Sequence, residues 1–170
     1  DNVATGTDPP CFNQRLICFS FFLICPNCFE MAQLLVLTAH ADDLEFFCGG
    51  TVCRAIRQRH VADLVIVTDS ARGSENAKTD RRELARLRET EARAAASIIG
   101  LREVVELGYD DGFLRDTPIN QLRERLMREI RARRPDVILT FDPADATEGH
   151  PDHQCVAIAA SEAARFARNL

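Results

Sequence analysis

Lysine is almost missing from this chain. Of its 21 basic residues only Lys78 is not an arginine, and 26 acidic residues outweigh them to give a formal net charge of −5. That balance excludes a general nucleic-acid binder, whose affinity leans on phosphate neutralisation by a basic surface. The arginine preference itself is a compositional bias, and the cluster Arg131, Arg133 and Arg134 reads as a solvated helix end, where cations suit the dipole. Long hydrophobic runs are also lacking. The apolar stretch Leu16 to Cys25 is about ten residues, too short to span a bilayer as a helix, so no stable membrane insertion is expected. Arg15 precedes it as in a signal peptide, yet no small-residue cleavage site follows and a polar segment comes first. A cytoplasmic protein is therefore expected, unless residues 1–30 are a genuine targeting segment. The cysteines form no framework either: there are seven, an odd total at uneven spacing. Cys25-Pro26-Asn27-Cys28 has the spacing of a redox or zinc pair, but no second such pair and no preceding strand accompany it. Internal repeats and low-complexity segments are absent.

What remains is ordinary globular composition in 170 residues, enough for one domain with a hydrophobic core. Residues 1–30 show no periodicity that fits the rest and are set apart as an N-terminal extension. Met31 stands directly before the first well-patterned strand and reads as a natural start, so the domain is taken as 31–170. From there strands and helices alternate. Strands are expected at Gln33 to Ala39, Asp63 to Thr68, Glu103 to Leu107 and Val137 to Phe141. Helices are expected at Phe46 to Arg59, at Asp80 to Ile99 with an Asp80/Glu83 capping box and a closing Gly100, and at His153 to Arg168. Another helix opens with Thr117 as cap and Pro118 in its first turn, carries Ile119, Leu122, Leu126 and Ile130 on one face, and stops before Pro135. Short apolar strands alternating with helices predict an α/β fold, a Rossmann-like parallel sheet with helices on both faces. With the four expected strands in the order 3-2-1-4, the sheet reverses between the first and the fourth, and ligands of such sheets bind there, outside the strands' carboxyl ends.

The loops after those two strands hold the chain's densest chemistry. His40-Ala41-Asp42-Asp43 follows the first, and His150-Pro151-Asp152-His153 follows the fourth. Three of the four histidines fall in these loops, and His60, at a helix end, is assigned nothing. Carboxylates this close repel one another, and a cation is the common way to stabilise them. Two histidines and a carboxylate with open positions are what a catalytic zinc ion uses, so His40, Asp43, His150 and His153 are candidate ligands. The same set suits non-haem iron, leaving Fe2+ as an alternative to Zn2+. A nucleotide-binding domain would share the fold class, but no G-x-G-x-x-G follows the first strand and its acidic loop would repel a pyrophosphate.

The motif His40-Ala41-Asp42-Asp43-Leu44-Glu45 with Gly49-Gly50-Thr51, paired with Gly149-His150-Pro151-Asp152-His153, resembles the PIG-L/LmbE family of zinc-dependent N-acetylglucosamine de-N-acetylases. The likeness runs from about Leu34 to Ala160. It implies that His40, Asp43 and His153 hold zinc, that Asp42 is the general base, and that His150 is the acid or electrophile beside the carbonyl. Asp152 is implied as a supporting partner, and Arg72 and Asp111 as contacts to the sugar. The partner would be a small amino-sugar substrate whose acetamide is hydrolysed to acetate and a free amine. Two departures stand out. Ala41 replaces the family's usual proline, which removes a backbone restraint but no reacting group. Family members also continue well beyond the last helix seen here, so the fold is expected to be truncated at its C-terminus. A metal-binding fragment without turnover is the alternative that follows. The sequence leaves open both a homo-oligomer and the identity of the sugar conjugate.

Overall fold

A computed structural model of the chain describes residues 15–18, 31–76, 78–144 and 149–167. Five parallel strands form one sheet: β1 (Arg15–Cys18), β2 (Gln33–Thr38), β3 (Val61–Thr68), β4 (Glu103–Tyr109) and β5 (Val137–Thr140), in the spatial order β1-β5-β2-β3-β4. The helices are α1 (Gly49–Arg57), α2 (Arg81–Ile99), α3 (Ile119–Arg133) and α4 (Pro151–Ala167). The four expected strands lie in the expected order, with β5 beside β2 at the point of reversal. Beyond them, Arg15–Cys18, within the segment set apart from the fold, pairs in parallel with β5 through Arg15↔Val137 to Cys18↔Thr140. The Cys25/Cys28 pair lies outside the described residues. Cys48, Cys53 and Cys155 are free thiols.

A parallel sheet covered on both faces needs strands that are apolar throughout, and β2 shows why. Leu35 and Leu37 point into one core with Leu122, Leu126 and Ile130 of α3 and the alanines of α4, while Leu34 and Val36 point into a second with Val52 and Ala55 of α1 and Ala92 of α2. Helix ends follow local chemistry. Asp80 caps α2 by accepting from the amides of Arg82 and Glu83 at 2.8 and 3.0 Å, and Gly100 closes it in the left-handed region with φ 92°. Two expected starts shift. Thr117 does not cap α3, because its amide closes a 3-10 turn on Leu114 at 3.1 Å and the helix begins after Pro118. Helix α4 starts at Pro151, two residues earlier than expected, since proline suits a first helical turn where no amide is needed.

The arginine cluster also needs correction. Arg133 does not end a solvated helix: its side chain is 10% exposed and meets Glu129, Glu103 at 2.7 Å, and Asp63 at 3.8 Å. Asp63, with no exposed surface, is gripped by Arg102 as well. A buried carboxylate in a strand draws cations inward, and removing one partner leaves uncompensated charge. Because Arg133 keeps Glu129 and Glu103 and Arg102 is half exposed, Asp63→Ala is expected to lower the unfolding free energy by about 1–3 kcal/mol. The measurement is a fall in the urea midpoint at unchanged slope, and an unaltered midpoint would contradict it.

Candidate metal centre and cleft

Strand β2 ends at Thr38, and the buried Ala39 leads directly into the loop that carries His40, Asp42 and Asp43. Asp43 folds back to cap that loop, its Oδ2 accepting from the amides of Ala39 and His40 at 3.0 and 2.7 Å. The chain then makes a π-helical turn, Leu44–Cys48, before α1, a local distortion often found at functional sites. The loop after β3 supports it from the side. Thr68 donates its hydroxyl to the Ala39 carbonyl at 2.7 Å, and Ser70, held at φ 53°, accepts the Ala41 amide on its Oγ at 3.0 Å. Because Ala41 is not proline it has an amide to offer, so this hydrogen bond stands where a ring would have restrained the backbone.

From the other side, α4 opens with Pro151, Asp152 and His153. Asp152 is wholly buried, its oxygens accepting from the amides of Gly112 at 2.7 Å and Leu114 at 3.1 Å, with Oδ2 3.4 Å from His40 Nε2. The His153 ring lies flat on Phe141, centroids 4.1 Å apart and planes 9° off parallel, with Phe47 edge-on at 5.7 Å. Its Nε2 thereby points at the β2 loop: 3.2 Å from His40 Nδ1 and 3.1 Å from Asp43 Oδ1. The third residue pair of this triangle, His40 and Asp43, meets through the other carboxylate oxygen, with His40 Nδ1 3.6 Å from Asp43 Oδ2. Donors on a tetrahedral zinc with bonds of about 2.0–2.1 Å stand about 3.3 Å apart. The pairs His153–His40 and His153–Asp43 are spaced in that way, so two imidazoles and one carboxylate suit a divalent cation with a position left open.

The electrostatics point the same way. Burial alone would lower the His40 pKa, but hydrogen bonds to Asp111, Asp152 and Asp43 outweigh it and push the pKa up to about 11. Burial likewise opposes the ionised form of Asp43, yet His153 and His40 hold its carboxyl well below the ordinary range. Asp111 and Asp152 are also held down, both by bonds to His40 and to backbone amides, against the effect of burial. Ionised carboxylates on a buried imidazole demand positive charge, which a divalent ion supplies. His150 behaves differently: burial and the neighbouring His40 and His153 lower its pKa. Its Nδ1 accepts the Asp152 amide at 3.2 Å, which puts the proton of the neutral ring on Nε2, a donor rather than a base.

These groups open into a cleft of about 280 Å³ lined by His40, Asp42, Arg72, Arg88, Asp111 and His150 among others. Asp42 is exposed to it, unlike its buried neighbour Asp43. Donor atoms of His40, His150 and His153 lie within 4.8 Å of one another, as do those of His40, Asp111 and Asp152. The sequence-derived candidates are thus brought together: His40, Asp43 and His153 in the triangle, Asp42 and His150 at the cleft wall, Asp152 behind His40. Asp111 Oδ1 is 3.1 Å from His40 Nε2 and its Oδ2 takes the Arg72 amide at 2.8 Å. His60 instead accepts the Ala32 amide at 3.0 Å and is structural. Sequence reading missed Ser70 and Arg88. For Arg88 a signal existed, since it stands four and eight residues before Ala92 and Ala96, the buried positions of α2, and so lies on the inward stripe.

Among the described residues no helix is long and apolar enough to cross a membrane. Residues 35–164 match the PIG-L family, described as GlcNAc-PI de-N-acetylase. A diacetylchitobiose deacetylase of Thermococcus kodakarensis is 29% identical over 138 residues, 81% of this chain and 51% of the relative. The 1D-myo-inositol 2-acetamido-2-deoxy-alpha-D-glucopyranoside deacetylase of Nakamurella multipartita is 32% identical over 155 residues, 74% of this chain and 52% of its own. The N,N'-diacetylchitobiose deacetylase of Pyrococcus horikoshii, solved with its inhibitor, superposes with a TM-score of 0.75 at 27% identity, covering 79% of this chain and 50% of that one. The chain spans about half the length of the curated relatives it matches. With the fold, the paired loops and this match in agreement over most of its residues, the chain belongs to the PIG-L family of deacetylases.

Proposed function

We propose that this chain hydrolyses the acetamide of an N-acetylglucosamine-containing small molecule, releasing acetate and a free amine, with zinc held by His40, Asp43 and His153. The observation that carries the reading is the pairwise approach of His40, Asp43 and His153 at 3.1, 3.2 and 3.6 Å, with His40 also lining the cleft that holds Asp42 and His150. Relatives named as deacetylases of chitobiose and inositol glycosides support the substrate class.

When bound, zinc supplies Lewis-acid polarisation of a carbonyl and lowers the pKa of water to about 7. The chain's own residues do the rest. Asp42, exposed to the cleft and one residue from Asp43, takes the proton of the attacking water at its carboxylate. His150 Nε2–H donates to the charge that develops on the carbonyl oxygen, and the proton that Asp42 took from the water goes to the leaving amine. Asp152 fixes the His40 ring through Nε2, leaving Nδ1 for the metal, the usual service of a carboxylate behind a ligating imidazole. Arg88 from α2 and Asp111 from the loop after β4 offer donors and acceptors to the sugar's hydroxyls.

The test is acetate release from simple N-acetylglucosamine glycosides by the metal-stripped chain, before and after one equivalent of zinc. Release restored by zinc is expected. Stoichiometric zinc uptake without acetate would leave a metal-binding domain and end the hydrolase reading.

A further inference from the structure

Four consecutive residues after β4 converge on one residue, Arg72, after β3. Asp111 accepts the Arg72 amide at 2.8 Å, and Asp110 receives Arg72 Nη2 at 3.4 and 3.5 Å. Gly112, at φ +80°, leaves room for the arginine's stem, since a Cβ there would stand 3.3 Å from Arg72 Cδ. The Phe113 ring lies against the guanidinium, its centroid 4.2 Å from Cζ. The turn thus holds a positive charge in the cleft that also receives His40, Asp42 and His150.

The charge is held firmly but satisfied poorly. Asp110 is 61% exposed and its contact is long, the kind of surface pair that contributes little and exchanges readily. Arg72 Nε is buried with no hydrogen-bond partner. Among the described residues lining the cleft, Arg72 and Arg88 alone carry fixed positive charge. Arg88 is paired along its own helix with Glu91 at 3.3 Å. A guanidinium held against Phe113, partly exposed and weakly paired, suits an oxyanion received through N–H bonds.

We propose that Arg72 selects substrates carrying an oxyanion, a carboxylate or phosphate ester, on the group attached to the amino sugar. The proposal rests on the deacetylase reading for which sugar is bound, but its test does not depend on turnover. The zinc-loaded chain is titrated calorimetrically with a matched set: methyl N-acetylglucosaminide, its carboxymethyl counterpart, and the corresponding ethyl phosphate. The wild-type chain is expected to bind one or both anionic glycosides roughly tenfold more tightly than the neutral one, an advantage that shrinks as added salt screens the pair. The two anionic arms tell carboxylate from phosphate. Arg72→Gln is expected to bring the anionic-to-neutral ratio to about unity, and Arg72→Lys to keep part of it, since an ammonium preserves charge but not the two-pronged geometry. Phe113→Leu keeps the charge without the platform and should reduce the ratio less. A wild-type ratio near unity, binding of none of the three, or a ratio indifferent to Arg72→Gln would overturn the proposal. Should a variant not fold, the wild-type ratio and its salt dependence decide alone. Selective binding without acetate release would sink the hydrolase reading and leave this one standing; acetate release without charge preference would do the reverse.

Discussion

Asp42→Asn is expected to keep its metal and lose its turnover. The two adjacent aspartates occupy opposite environments: Asp43 is buried and tied to two backbone amides, whereas Asp42 is exposed at the cleft. Replacing Asp42 therefore leaves the donor triangle untouched and removes only the carboxylate placed to accept a proton. Loss of a positioned general base costs roughly 10²–10⁴-fold in rate. Elemental analysis should still find one zinc per chain, with acetate release reduced by that factor and the urea midpoint unchanged. Turnover at the wild-type rate, or a zinc-free variant, would each contradict the assigned role.

His153→Ala is expected to lose both metal and turnover. Its Nε2 is a corner of the donor triangle, and its ring is sandwiched where Phe141 allows one plane. Two remaining protein donors are too few for a stable zinc site. The clearest readout is thermal: a ligand that binds only the folded state adds about 2.7 kcal/mol of stability at a hundred times its Kd. Adding zinc should raise the melting temperature of the wild-type chain and leave that of His153→Ala where it was. Because the substitution also opens a void beside Phe141, the zinc-free variant will melt somewhat lower than the zinc-free parent. The comparison that decides is therefore the zinc-induced shift within each protein, and an undiminished shift in His153→Ala would remove it from the ligand set.

The parallel sheet was legible in the sequence because β2, β3 and β5 carry the apolar runs Leu34–Leu37, Leu64–Val67 and Val137–Leu139, as a sheet covered on both faces requires. The meeting of His40 with His153 followed from that topology, since both loops trail adjacent strands at the point of reversal. Other features were hidden for identifiable reasons. Arg15–Cys18 opens an apolar stretch with no turn signal inside it, so nothing marked four of its residues as an edge strand. Arg133 looked like a helix-end cation because the carboxylate that draws it inward, Asp63, is 70 residues away and sits in a strand where a charge is unexpected. Arg88 was one arginine among several on α2, and Ser70 had only its hydroxyl to announce it. The reacting groups were conspicuous since they lie at strand ends; the groups that steady or grip are not.

That the acidic and histidine-bearing segments trail β2 and β5 while the arginine-bearing turn trails β3 has a consequence for how such a protein can diversify. In the proposed roles, one half of the sheet's rim would carry bond breaking and the other discrimination, and Asp111 reaches from the second to the first through His40. Residues 72–76 or 110 and 113 are therefore the ones to exchange in a library meant to retune which conjugates are accepted, whereas Gly112, at φ +80° and donating its amide to Asp152, has to stay. Randomising residue 111 would forfeit that independence.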